Sequence, residues 1–81
     1  MGLLTENFKD NKVYNTYDST NIKSSIYDEE KKELIIEFKG GRKYMFEKVP
    51  LNIYGSFKRA KSQGSYFNKN IRNIFGNKII T

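Results

Sequence analysis

The stretch LIIEFKGGRKYMF, residues 34–46, decides the fold of this 81-residue chain. Apolar and polar side chains alternate on both sides of a Gly-Gly pair, as in two β-strands joined by a tight turn. A two-residue turn made of the glycines would pair Leu34 with Glu47, and so mix apolar and charged residues on one face. A three-residue loop, residues 39–41, pairs Leu34 with Phe46 and leaves one face wholly apolar. We therefore predict this loop, with its last glycine in the left-handed conformation.

Outward from this hairpin, the sequence predicts one more strand and two helices. Residues 22–27 alternate in the manner of a strand, and a charged turn joins them to the hairpin. Pro50 suits the first turn of a helix, where its missing N–H costs nothing. Gly64 is predicted to stop this helix, Ser65 to cap the second helix, and Gly76 to end it.

Each predicted helix carries one apolar face. These faces are Ile53, Tyr54, Phe57 and Ala60 in the first helix, and Phe67, Ile71, Ile74 and Phe75 in the second. The fold class that follows is α+β, a three-stranded antiparallel β-meander followed by two helices packed on one face. This domain spans residues 19–76. We expect residues 1–18 to form a flexible arm or an extra edge strand around 13–17. We expect residues 77–81 to form a free C-terminal tail, and the alternative is that a second subunit covers the apolar pair in it.

The composition excludes several classes of function. The chain has no cysteine and no histidine, so it cannot form a disulfide, a histidine- or cysteine-based metal site, or a Ser-His-Asp triad. Its apolar runs are only a few residues long, too short for a membrane span or a signal peptide. The acidic run at residues 28–30 lacks the ligand spacing of a calcium loop. We expect a cytoplasmic protein that is not an enzyme and holds no metal or cofactor.

Charge is distributed unevenly along the chain. Residues 1–38 contain five basic and eight acidic residues, whereas residues 39–81 contain ten basic residues and one acidic residue, Glu47. Such asymmetry indicates an anionic partner for the second half. The alternative is that the lysines reflect a low-GC genome and form a solvent-exposed surface that binds no partner.

The main candidate site lies between residues 61 and 72, where one predicted helix gives way to the next. Phosphate could be bound there by lysine and arginine side chains, by hydroxyl and amide groups, and by backbone N–H groups. The tyrosine could stack on a base. The residues of this site are Lys61, Ser62, Gly64, Ser65, Tyr66, Asn68, Lys69 and Arg72. A secondary basic patch consists of Arg42, Lys43, Lys58 and Arg59. Each of these residues also has a purely structural explanation. Ser65 would only cap a helix, Gly64 would only end one, and Tyr66 would belong to the core. The cations of the hairpin would only protect a sheet edge from pairing with another chain.

Several blocks, in the same order and spacing, make the sequence resemble the KTSC domain family. They are Ser24–Asp28, Leu34–Phe38 with Gly41, Tyr44-Met45-Phe46, Val49-Pro50 with Tyr54, Ala60-x-Ser62-x-Gly64-x-Tyr66-Phe67-Asn68, and Ile71-Arg72. Members of this family occur at the C-terminus of some lysyl-tRNA synthetases and as separate bacterial and phage proteins. That context implies RNA binding as an expectation. The family's Tyr-x-Tyr pair reads Tyr-x-Phe here, so one phenolic hydroxyl is missing.

Together these features predict a non-enzymatic, basic binding module for RNA or single-stranded DNA in a bacterial cell. The alternative is a phage-encoded anti-defence protein that sequesters a nucleotide signal or blocks a host defence protein. A closed nucleotide pocket would need more than one 81-residue chain, so this alternative predicts a homo-oligomer.

Overall fold

The hairpin predicted at residues 34–46 is present in the computed structural model, which describes residues 2–80. Leu34 pairs with Phe46, so the three-residue loop and its register are confirmed. Gly41 has a φ of 98°, a conformation that costs a glycine little and other residues more.

The sheet around this hairpin has six strands, not the predicted three. The elements in chain order are β1 (Gly2–Lys9), β2 (Lys12–Asp18), β3 (Ile22–Asp28), β4 (Glu33–Phe38), β5 (Lys43–Phe46), α1 (Leu51–Arg59), α2 (Gln63–Asn70) and β6 (Asn77–Ile79). Each strand pairs antiparallel with the next, and β6 returns after the helices to pair with β5. The α+β class with two helices is therefore confirmed, and the strand number is corrected.

Two of the additional strands come from the N-terminal segment. β2 contains residues 13–17 and lies between β1 and β3, so it is not an edge strand. Its inward positions are Val13, Asn15 and Tyr17. Because the middle one is polar, the apolar alternation that predicts a strand is interrupted there. Met1 lies outside the described residues.

The last strand corrects the expectation of a free C-terminal tail. In β6, Ile79 lies opposite Tyr44 of β5. The N–H of Ile80 also donates to the carbonyl of Lys43 at 2.9 Å. The sheet edge therefore supplies hydrogen-bond partners to residues that the sequence gives no reason to place there. Thr81 lies outside the described residues.

The first helix ends at Arg59, before the predicted stop at Gly64. Ala60 is already extended, with φ −65° and ψ 149°. The buried side-chain amide of Gln63 donates to the Ala60 carbonyl at 2.9 Å. This contact satisfies a carbonyl at the helix end, and Gly64 falls inside α2.

The second helix begins and ends earlier than predicted. Ser62, not Ser65, is its N-cap, because the Ser62 hydroxyl accepts from the N–H of Ser65 at 3.2 Å. The helix ends at Asn70 and not at Gly76. Ile74 therefore lies outside the apolar face of α2 and is 63% exposed.

The two helices pack on the same face of the sheet but over different strands. Tyr54 of α1 stacks on Tyr27 of β3, with ring centroids 4.3 Å apart. Phe67 of α2 meets Phe38 of β4 and Phe46 of β5 edge to face, each at 5.3 Å. α1 therefore covers the end of the sheet nearer β1, and α2 covers the hairpin.

Candidate functional site

A groove of about 680 Å³ lies between the start of β3, the β4–β5 hairpin and α2. Its polar lining consists mainly of three cations and four side-chain amides, and its apolar lining consists mainly of aromatic rings. We refer to it below as the groove.

Hairpin backbone contacts set one wall of the groove. The N–H of Phe38 donates to the carbonyl of Arg42 at 2.9 Å, which closes the three-residue loop. The N–H of Lys39 donates to the carbonyl of Asn21 at 2.8 Å, which ties the hairpin to the turn before β3. These contacts fix the backbone from which three groove side chains extend, those of Lys39, Arg42 and Asn21.

The opposite wall is formed by α2 and the turn after it. Gly64, Asn68 and Arg72 follow one another at intervals of four residues and all line the groove. A Cβ atom on Gly64 would lie 3.4 Å from Nδ2 of Asn21. The glycine therefore leaves open the narrow passage between α2 and the turn before β3.

The aromatic rings of the groove belong partly to the core. Phe46 and Phe67 are buried, whereas Phe38 and Tyr44 are half-buried and meet edge to face at 5.7 Å. Tyr44 and Phe46 both lie on the apolar face of the hairpin, which packs against the core. The half-buried pair leaves aromatic surface available to a ligand.

The groove is positively charged and contains no compensating acid. Lys39, Arg42 and Arg72 line it, and no aspartate or glutamate does. Within residues 2–80, none of these three cations forms an ion pair. The single acidic residue of the second half, Glu47, is paired with Lys78 at 3.4 Å. An anion is the ligand whose charge this lining complements.

Four asparagine side chains also line the groove. They are Asn21, Asn68, Asn73 and Asn77. None of the four side-chain amides hydrogen-bonds to another residue in the described part of the chain. Each therefore retains a donor and an acceptor for a ligand.

The fold brings together residues that the sequence assigned to two separate sites. Gly64, Asn68 and Arg72 come from the main candidate block, and Arg42 comes from the secondary basic patch. The hairpin and α2 form opposite walls of one groove, so these residues belong to a single surface.

The other members of the main block lie outside the groove. Ser62 and Ser65 form the helix cap with each other. Tyr66 is half-buried against Phe57, with ring centroids 6.4 Å apart. Lys61 and Lys69 are exposed but do not line the groove, and they join the exposed cations of the surrounding surface.

The remaining members of the secondary patch are also elsewhere. Lys58 forms an ion pair with Glu6 at 2.7 Å, and its ammonium lies 5.5 Å from the centroid of the Tyr54 ring. Arg59 lies beside Gly55 on α1. Lys43 is half-buried on β5, away from the groove lining.

Sequence reasoning missed the amides at positions 21, 73 and 77 and the hydroxyl of Thr20. Thr20 and Asn21 occupy a polar turn before β3, and Asn73 and Asn77 lie in the segment that was assigned to helix and tail. A run of polar residues at the end of an element was the available signal. That signal is weak, because turns are polar for reasons unrelated to binding.

A second group of polar side chains, the polar cluster, lies beneath α1, and all of its members except Glu6 are buried. Asn15 Oδ1 accepts from the hydroxyls of Tyr54 at 2.7 Å and Tyr17 at 3.2 Å, in the amide orientation that satisfies both of its ends. The Asn15 nitrogen donates to Glu6 at 3.3 Å, and Ser25 lies 2.7 Å from the Tyr17 hydroxyl. Burial is the main cause that raises the pKa of Tyr54 and of Tyr17. These phenols are held in neutral, hydrogen-bonded form.

No group of three or more potential metal-ligating carboxylates occurs among the residues that the structure describes. Neither helix in that part of the chain is long and apolar enough to cross a membrane.

Comparison with known proteins identifies relatives of the sequence and of the fold. The sequence pattern of the KTSC domain matches residues 18–75. The crystal structure of a KTSC domain protein from Yersinia pestis superposes with a TM-score of 0.80 and is 28% identical. That similarity covers 86% of this chain and 99% of the Yersinia chain. A search of curated protein sequences gave no match.

Proposed function

The chain belongs to the KTSC domain family, and we propose that it is a non-enzymatic module that binds RNA or another single-stranded nucleic acid through the groove. One observation carries the proposal: Lys39, Arg42 and Arg72 line a single groove that has no carboxylate in its lining. We also propose that this binding takes place in the cytoplasm of a bacterial cell.

Phosphate chemistry explains the choice of an anionic polymer. Arginine donates two parallel hydrogen bonds to phosphate and remains charged at any physiological pH. Arg42 and Arg72 stand on different walls, the hairpin and the turn after α2. Two such groups can hold successive parts of one phosphate backbone.

The aromatic lining supports a single strand in preference to a duplex. Base faces are buried in a double helix and become available for stacking only when the strand is unpaired. Phe38 and Tyr44 are half-buried, so their rings offer some surface beside the cations. Stacking of this kind tolerates any base and adds to phosphate binding.

Salt-dependent binding of a labelled ten-nucleotide oligouridine tests the proposal. We expect the double variant Arg42→Ala/Arg72→Ala to weaken binding at low salt by at least about tenfold. The slope of log affinity against log salt should fall by about 1.4, since each phosphate contact on a single strand contributes about 0.7. Fluorescence anisotropy at several salt concentrations gives both quantities.

The matched control removes two positive charges at the strand ends that lie farthest from the groove. Lys9 and Lys31 are exposed residues near the β1–β2 and β3–β4 turns, and neither lines the groove. Lys9→Ala/Lys31→Ala should change the affinity by less than about twofold, because distant exposed charges are screened. Equal losses in the two double variants would refute the groove as the binding surface.

The anti-defence alternative makes different predictions for the same protein. A nucleotide-sequestering protein would bind a mononucleotide or cyclic dinucleotide in preference to the oligouridine, and its closed pocket would require an oligomer. Failure of the oligouridine to bind at low salt, together with tight nucleotide binding, would replace the proposal with this alternative.

A further inference from the structure

We infer that the groove accommodates one base of the bound strand and that its asparagine amides select adenine. This inference rests on the proposed function, because it assigns the base contacts of the same site.

The amides come from separate segments that converge on one groove. Asn21 precedes β3, Asn68 lies on α2, Asn73 follows α2, and Asn77 begins β6. Elsewhere in the described chain, the buried Asn15 has all of its amide hydrogen bonds completed by protein groups. The groove amides have no such partners within residues 2–80, so their hydrogen bonds remain for a ligand.

The chemistry of the amide favours adenine among the bases. An asparagine presents one donor and one acceptor side by side, which matches the acceptor N7 and the donor N6 of adenine. Cytosine is usually read by a carboxylate, and the groove has none. Guanine is usually read by arginine, and in the proposed function Arg42 and Arg72 are engaged with phosphates.

The exposed aromatic surface of the groove also favours adenine over the pyrimidines. Phe38 and Tyr44 leave only part of each ring open. Any base can stack on these rings, but a purine has a larger face than a pyrimidine and can cover more of the exposed ring surface. The rings therefore favour the two purines, and the amides favour adenine over guanine.

Four nine-nucleotide RNAs that differ at one position provide the test. Each has four uridines on either side of a central A, C, G or U. We expect the RNA with central adenine to bind about tenfold more tightly than the others, the discrimination typical of one good amide–adenine pair. Anisotropy titrations at one salt concentration measure the four affinities.

Variants assign the preference to particular side chains. Asn21→Ala/Asn68→Ala should reduce the adenine preference to less than about twofold. Asn7→Ala is the matched control, since Asn7 is exposed on β1 outside the groove. Arg42→Ala/Arg72→Ala should weaken all four RNAs by the same factor and preserve the preference.

The outcomes separate this inference from the proposed function. If none of the RNAs binds at low salt, the proposed function fails and this inference fails with it. If all four bind equally with the expected salt dependence, only the base selectivity is wrong. A preference for guanine, or an adenine preference that persists in Asn21→Ala/Asn68→Ala, would overturn the role of the amides.

Discussion

The two ends of the covered sheet face use the same kinds of side chain in opposite ways. Beneath α1, Asn15 is 1% exposed, and protein groups complete the hydrogen bonds of its amide. Beside α2, the amides of Asn21 and Asn68 line the groove without a partner in the described chain. The residue type is the same, and the neighbours decide whether it stabilises the fold or remains available to a ligand.

Cations show the same difference. Lys58 at the α1 end is paired with Glu6, and both side chains are mostly buried. Arg42 and Arg72 at the α2 end have no acidic neighbour in the groove. Of these two regions, the polar cluster should therefore matter mainly for stability, and the groove mainly for ligand affinity.

Alkaline pH should lower the free energy of unfolding more than any substitution considered below, and it should do so through the tyrosines at the α1 end. Burial raises the pKa of Tyr17, Tyr27 and Tyr54 in the folded chain. Their contribution to stability is thus complete below pH 10, the ordinary tyrosine pKa, and is lost as the pH rises above it. From pH 9 to pH 11, a phenol that stays neutral in the folded chain and ionises in the unfolded chain removes about 1.4 kcal/mol, so the three phenols together remove no more than about 4 kcal/mol. Urea unfolding at the two pH values measures this loss.

Two phenylalanine variants locate the effect. Tyr54→Phe should lose about 1.4 kcal/mol less than the wild type over the same pH interval. Tyr14→Phe should lose as much as the wild type, because Tyr14 is outside the core. If both variants behaved alike, the α1 end would not be the source of the pH dependence.

Loss of Asn15 should have the next largest effect. Asn15→Ala removes the hydrogen-bond partner of Tyr17, Tyr54 and Glu6 at once, and it leaves a cavity. We expect the free energy of unfolding to fall by about 3 kcal/mol. Asn68→Ala in the groove should cost less than about 0.5 kcal/mol, as is usual for an exposed polar residue. Urea unfolding compares the two, and a loss below 1 kcal/mol for Asn15→Ala would contradict the contrast between the ends.

The sequence predicts the hairpin well because two independent signals agree there. Alternation over residues 34–46 and the Gly-Gly turn specify the same register. β2 was not recognised as an interior strand because Asn15 occupies an inward position. The helix boundaries were wrong because Ser62 and Ser65 are both suitable caps, and because Gln63 reaches back to the end of α1 in a contact that has no local sequence signature.

The groove could be predicted only in part. Arg72 is predicted as a phosphate-binding residue and Arg42 as part of a secondary basic patch, so the two are assigned to separate sites. The topology that places the hairpin opposite α2 is long-range information that periodicity does not contain. Asn77 could not be assigned to the site at all, since its position depends on the unpredicted β6.

One ion pair at the α1 end and one at the α2 end differ in how deeply they are buried. Lys58 and Glu6 have side chains 20% and 23% exposed, whereas Lys78 and Glu47 are 60% and 42% exposed. We expect Lys58→Met to cost about 1 kcal/mol, because it leaves Glu6 unpaired in a mostly buried position. Lys78→Met should cost less than about 0.5 kcal/mol, since exposed pairs contribute little. Thermal unfolding of both variants provides the measurement, and similar costs would show that burial does not distinguish the pairs.

Replacing either of two helical glycines by alanine should have the smallest effect on stability, and it separates an effect on stability from an effect on RNA binding. Gly55 lies in α1 and Gly64 in α2, and an alanine at each should stabilise its helix by about 0.5 kcal/mol. At Gly55 the new Cβ meets only the flexible end of Arg59, at 3.3 Å. At Gly64 it lies 3.4 Å from Nδ2 of Asn21 and narrows the groove.

Only the second change should therefore lower the affinity for single-stranded RNA, by about fivefold or less, since the obstruction costs no more than about 1 kcal/mol. Unfolding by urea and anisotropy titration of the same two proteins measure both quantities. Gly55→Ala supplies the control for a general effect of added helix stability on binding. Equal RNA affinities in the two variants would mean that the passage beside Gly64 is not part of the binding surface, and the functional contrast between the two ends would then depend on the arginines alone.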